Sequence, residues 1–276
     1  LSAGGGTPTA HAYAEAAAYM MGTSTILKSS AALYAKTKAT PTRWYRQDCS
    51  RWGCEWTNIS TPSSTTLGKL TSDEDKDYIY YYELKNSSFY ESVDGARNGT
   101  QYKSPLPESS KRVSCDGQGI YILSDGEPNG SSNTESQELM KKVLTNPSSS
   151  TLSDFTCSTA GTDLSNISSD TGWTCMGAFA QKLYNNSNYA GVSIQTAFVG
   201  FGSDFNSLTS SNVKNACRLG SKLKGDSCSF YQTDGIHENT NNNLKNPKIG
   251  YGNGGFYTGN SAEDVTKSVL NFIDNL

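Results

Sequence analysis

Short apolar runs alternate with stretches of helical periodicity along this chain, and that alternation limits its fold more than any other feature. "GIYILS" (119–124), "VSIQTAFVGFG" (192–202) and "GGFYTGN" (254–260) read as strands. Between and around them lie helical patterns. "GGGTPTAHAYAEAAAYMMG" (4–22) is a glycine loop running into an alanine-rich helix, with Thr7 placed as N-cap and Pro8 as first helical residue. Tyr13, Ala17, Met20 and Met21 form its apolar face. "NTESQELMKKVL" turns Leu139, Met140 and Val143 inward, and "CMGAFAQKLY" does the same with Met176, Phe179, Ala180 and Leu183. "LTSSNVKNACRLG" is a helix with Gly220 as its C-cap. "SAEDVTKSVLNFIDNL" closes the chain, with Ser261 and Asp264 as a capping box and a stripe of Val265, Val269, Leu270 and Ile273.

Strand and helix in alternation give parallel strands joined by crossover helices. Such a sheet is buried on both faces, which explains strands that are apolar throughout. The expected fold class is α/β, a doubly wound, Rossmann-like parallel sheet. Ligands in that architecture sit at the carboxyl ends of the strands. "GIYILS" runs straight into "DGEPNG", so Asp125 stands at such an end.

Residues 35–116 break the alternation. They carry no helical period and hold many aromatics, Trp44, Trp52, Trp56, Tyr80, Phe89 and Tyr102 among them. A connection this long inside a compact domain marks an insertion. The expected organisation is one domain over 1–34 and 117–276, interrupted by an aromatic-rich subdomain, mostly β or irregular, over 35–116. Its aromatics are expected to build the insertion's own core.

The polarity of the chain comes from Ser, Thr, Asn and Gly, since only 18% of residues are charged. That profile suits an exported protein. A net charge of −3 offers nucleic acid or an anionic membrane no attraction. No apolar run reaches the roughly 20 residues that span a bilayer. The seven cysteines include no C-x-x-C pair, and with two histidines a zinc site is not expected. Their spacing suggests the local pairs Cys49–Cys54, Cys157–Cys175 and Cys217–Cys228, and hence an oxidising compartment, with Cys115 left over. No Ser-His-Asp or Cys-His context and no paired strand-end acids point to catalysis, so an enzyme is not expected.

The run "GGGTPTAHAYAEAAAYM", then "GIYILSDGEPNG", then "IQTAFVGFG", then "GGFYTGNSAEDVTKSVLNFI" resembles the successive landmarks of a von Willebrand factor A domain, and "YKSPLP" ahead of "GIYILSDGEPNG" and the "GNGGFYTGNSAEDV" ending are the most specific matches to a narrower group. More narrowly it resembles that domain in the PilC/PilY family of tip-associated adhesins of bacterial type IV pili. The landmarks cover residues 3–24 and 117–275. The resemblance implies a metal-ion-dependent adhesion site built from three loops. Its threonine loop matches "GGGTP" at Thr7, and its aspartate loop matches "LSDGEP" at Asp125. The third loop, Asp-x-Ser-x-Ser, has no match in these residues. "DLSNIS" (163–168) has the wrong spacing and no strand before it. The family places that motif on a strand preceding the glycine loop, so the N-terminal part of the domain is expected upstream of Leu1, together with a cysteine able to pair with Cys115.

Hydroxyls with few carboxylates suit Mg²⁺ or Mn²⁺, which take oxygen ligands and keep several waters. Asp125 would bind directly or through a water. Each motif also has a plain reading: Thr7 as a helix cap, and "DGEPN" as a turn whose residues all favour turns. "DEDKD" places Asp73, Asp75 and Asp77 at the spacing of a calcium loop, but Tyr78 and Leu84 stand where that loop needs Gly and Glu, so a solvated acidic turn is expected. Six glycosylation sequons, including one at Asn129, fit chance in so Asn- and Ser-rich a chain.

Two functions follow from the resemblance. One is adhesion to a host-cell, extracellular-matrix or other surface ligand from the pilus tip or outer membrane, beside other tip components. The other is a structural role in pilus biogenesis or surface sensing, with a vestigial or purely stabilising metal site.

Overall fold

The computed structural model describes residues 6–26, 89, 92–113, 117–157, 164, 166, 168–205, 210–220, 251–274 and 276, and the backbone alone of 28–36, 44–50, 53–59, 78–84, 231–233 and 236–238. Cys115, Cys228, Asp73, Asp75 and Asp77 lie outside these, as do the side chains of Cys49 and Cys54.

Helix α1 (Thr9–Met21) opens the described chain. Four strands follow: β1 (Lys28–Lys36), β2 (Trp44–Ser50), β3 (Gly53–Ile59) and β4 (Tyr78–Leu84). They form an antiparallel sheet in the order β3-β2-β1-β4, with Cys49 and Cys54 opposite each other in the β2–β3 register. A hairpin of β5 (Arg97–Asn98) and β6 (Gln101–Tyr102) brings the chain back to α1. The Tyr102 N–H donates to the Thr23 carbonyl at 2.8 Å, and its hydroxyl to Glu15 at 2.6 Å. Phe89 packs edge-on against Tyr102. Both rings belong to the main core, not to a separate core of the insertion.

The second half alternates as its pattern requires. Strand β7 (Gly119–Ser124) leads through α2 (Asn133–Leu144) and α3 (Trp173–Tyr184) to β8 (Gln195–Phe201). From there α4 (Ser211–Gly220) and a short antiparallel pair, β9 (Tyr231–Thr233) and β10 (Ile236–Glu238), precede β11 (Asn253–Gly259) and α5 (Ala262–Asp274). β7, β8 and β11 form a parallel sheet in the order β11-β8-β7. This is an α/β arrangement of the expected class, with helices on both faces. On one face Phe198 meets Trp173, Phe205 and Phe256, and Tyr13 of α1 bonds Thr196 across 2.5 Å. On the other, Phe272 of α5 packs with Ala197, Val199 and Tyr257.

Local signals fix the helix ends. α1 stops at Gly22, whose φ of 69° suits glycine, and Thr23 and Gly22 return N–H bonds to Ala18 and Tyr19, a Schellman closure. Ser132 caps α2 by accepting from the Glu135 N–H, and Ser261 and Asp264 cap α5 reciprocally at 3.0 and 3.1 Å. Three expectations need correction. α1 begins one residue later than expected, at Thr9, with Pro8 and not Thr7 in the cap position. Gly220 is the last helical residue of α4, and a side chain there would collide with the Gly255 carbonyl, so glycine permits the approach of helix to strand. The buried residues of α5 are Ser268 and Phe272, while Leu270 and Ile273 are each 56% exposed.

The Cys157–Cys175 disulfide ties the loop after α2 to the first turn of α3, as the spacing suggested. Cys217 is also disulfide-bonded, and since Cys157 and Cys175 hold each other, its partner lies outside the described residues.

Candidate functional site

The site lies where two loops meet at the carboxyl end of β7. One is the glycine loop ahead of α1, ending in Gly6, Thr7 and Pro8. The other is the turn from Asp125 to Ser131. β7 delivers Asp125 to the surface because its six residues are buried or half-buried except Leu123, and its last, Ser124, is anchored by a bond from its hydroxyl to the Gly126 carbonyl at 2.8 Å. Asp125 is exposed and makes no hydrogen bond or ion pair among the described residues.

Thr7 is half-buried, and its backbone is fully used. Its N–H donates to Asn129 Oδ1 at 2.7 Å, and its carbonyl accepts from the N–H groups of Asn129 and Thr9 at 2.9 and 2.7 Å. Its hydroxyl is used by nothing among the described residues, and α1 has no side-chain cap. The plain reading of Thr7 as a helix cap is therefore not what the geometry provides.

A third loop, 168–172, braces the second. The Ser131 N–H donates to the Asp170 carbonyl at 2.8 Å, and the Gly130 N–H reaches the Asp170 carboxylate at 3.5 Å. The Ser168 hydroxyl also donates to that carboxylate. These bonds, the Ser168 one first, hold the exposed Asp170 carboxyl below the usual carboxylate range. Beneath the loops, burial lowers the pKa of His11, and the nearby Glu135 charge partly offsets this.

A cleft of about 280 Å³ runs between α1 and β7, lined by Thr7, Ala12, Ala16, Ile120, Ile122 and Ser124. It follows the edge of β7 opposite β8. Among the described residues no strand pairs with that edge.

The two residues singled out in the sequence, Thr7 and Asp125, thus sit on loops that the structure joins. It adds Asn129 and Asp170, which the sequence did not single out for this site. Asn129 reads in the sequence as a turn residue and a sequon, and Asp170 lies in a Ser- and Asp-rich stretch with nothing to mark it. Among the described residues no group of three or more His, Cys, Asp or Glu could hold a metal ion. The donors at this site are of another kind, one hydroxyl and one carboxylate. Both are hard oxygens without a partner among the described residues, which fits a cation that completes its shell with water. No helix among the described residues is long and apolar enough to cross a membrane. Compared with protein-family models, curated proteins and solved structures, the chain matches none.

Proposed function

We propose that this chain is an adhesion module of von Willebrand factor A type from a type IV pilus tip-associated protein, binding a host or surface ligand through a divalent cation held at Thr7 and Asp125. One observation carries the reading. Among the described residues neither the Thr7 hydroxyl nor the exposed Asp125 carboxylate has a partner, and the two loops that carry them are bonded to each other. Turn and cap residues ordinarily spend those groups on their own backbone, and neither does so here.

Thr7 and Asp125 would supply two oxygens to Mg²⁺ or Mn²⁺. The bound ion would act as an electrophile toward a carboxylate of the ligand. The resemblance assigns the remaining protein donors to an Asp-x-Ser-x-Ser loop. The open edge of β7 supports a place for its strand. "GIYILS" carries no charge or proline, the usual protections of an edge strand. A parallel strand seated in the cleft would end beside Thr7 and Asp125. The disulfide at Cys157–Cys175 fits export to an oxidising surface environment. This role involves no catalysis and no nucleic acid.

The test is adhesion by cells that display the full-length protein on their pili. Adhesion that falls with a chelator, returns with Mn²⁺ and is lost in Asp125→Ala supports the proposal. Unchanged adhesion in Asp125→Ala at normal protein levels refutes it and favours the structural role in pilus biogenesis.

A further inference from the structure

We infer that Asn129 is a positioning residue that holds the two metal donors in one arrangement, an inference that rests on the reading of Thr7 and Asp125 given above. Asn129 comes four residues after Asp125 and grips Thr7 at two points. Its side-chain oxygen accepts the Thr7 N–H at 2.7 Å, and its own N–H donates to the Thr7 carbonyl at 2.9 Å. Its amide nitrogen donates to the Glu127 carbonyl at 3.4 Å, which fixes the side-chain oxygen toward Thr7.

The surroundings are shaped for this grip. A methyl group on Gly6 would come 2.9 Å from the Asn129 side-chain oxygen, so the last glycine of the loop leaves room for the contact. Gly130 has a φ of 68°, which turns the chain so that its N–H and that of Ser131 meet Asp170. The clamp therefore continues from the α1 loop through Asn129 to the loop ahead of α3. None of these bonds uses the Thr7 hydroxyl or the Asp125 carboxylate. Asn129 fixes the backbones and leaves both donor groups free, as a preformed cation site requires.

The test is nuclear magnetic resonance on the full chain, comparing wild type, Asn129→Ala and Asn129→Asp. Exchange of the Thr7 amide in Asn129→Ala should accelerate about tenfold relative to amides in the middle of α1 and β7. Asn129→Asp should recover most of the protection, because a carboxylate oxygen accepts in the same place. In wild type, Mn²⁺ should broaden the Thr9 and Gly126 amides together; in Asn129→Ala it should broaden Gly126 and spare Thr9, and Asn129→Asp should restore the joint pattern. Unchanged Thr7 exchange in Asn129→Ala, or Mn²⁺ broadening of both loops in that variant as in wild type, overturns the inference and leaves the metal reading standing. No broadening of either loop in wild type overturns the metal reading itself, and Thr7 exchange still decides whether Asn129 is the clamp.

Discussion

Thr7 looked like two things in the sequence, a helix cap and a metal ligand, and its position one residue outside the cap separates them. With Pro8 at the cap, the Thr7 hydroxyl contributes nothing to α1. Thr7→Ala should therefore change the unfolding free energy by no more than about 0.5 kcal/mol in a metal-free buffer, where loss of a cap would cost about 1 kcal/mol. Denaturant unfolding of the two proteins with chelator present measures this directly. His11 gives a pH dependence of definite sign. Burial lowers its pKa from the ordinary value of 6.5, with Glu135 partly offsetting, and its Nε2 is buried without a partner among the described residues. The unfolded chain then binds a proton more readily than the folded one. Stability is complete above the unfolded value and falls as pH drops through the window between 6.5 and the lower folded value. His11→Gln should lose less stability than wild type between about pH 7.5 and 5.5. An identical loss in both would show that His11 is not the group responsible. Neither Asp170 nor Asn129 was legible as a site residue, because what distinguishes each is a contact with a distant loop, and periodicity records only neighbours along the chain.

At the scale of elements, strands and helices were legible wherever apolar side chains do the burying. β7, β8, β11, α2 and α3 lie close to where their patterns put them, and Leu139, Met140, Val143, Met176, Phe179 and Leu183 are all fully buried. α5 shows where that signal fails. Its inward face carries Ser268, whose hydroxyl is bonded to the Tyr121 hydroxyl at 2.6 Å, and Phe272, tilted against the same tyrosine. A serine satisfied by a tyrosine is as buried as a valine, yet reads as surface in the sequence. The disulfide was legible from spacing alone, since Cys157 and Cys175 bracket the approach to a helix. It closes a loop with a sequence separation of 18, for which chain entropy gives about 3 kcal/mol. Replacing both cysteines by serine should lower stability by about that amount without altering the helical content. A loss below about 1 kcal/mol would mean that packing of the loop around buried Phe155 holds α3 in place by itself.

For the molecule as a whole, the parallel sheet is what makes a site of two short loops. Its strand ends bring Asp125 to a rim, and α1, packed on the same sheet through Tyr13 and Thr196, brings Thr7 onto Asn129 of the turn that Asp125 opens. The order β11-β8-β7 could not be read from the sequence, because strand order depends on which crossover each helix makes and leaves no local trace. It puts an apolar strand at an edge, with Leu123 51% exposed there and Leu270 and Ile273 of α5 exposed above the same face of the sheet. A cation at the proposed site would bind the folded protein and not the unfolded chain, so it should raise the thermal midpoint. The decisive measurement is the thermal unfolding of the full-length protein and its Asp125→Ala variant, each with Mn²⁺ and with chelator. Wild type should gain about 2.7 kcal/mol at a metal concentration a hundredfold above the dissociation constant, while Asp125→Ala stays folded and gains nothing. Equal responses to Mn²⁺ in the two proteins would contradict the account and make Asp125 a turn residue.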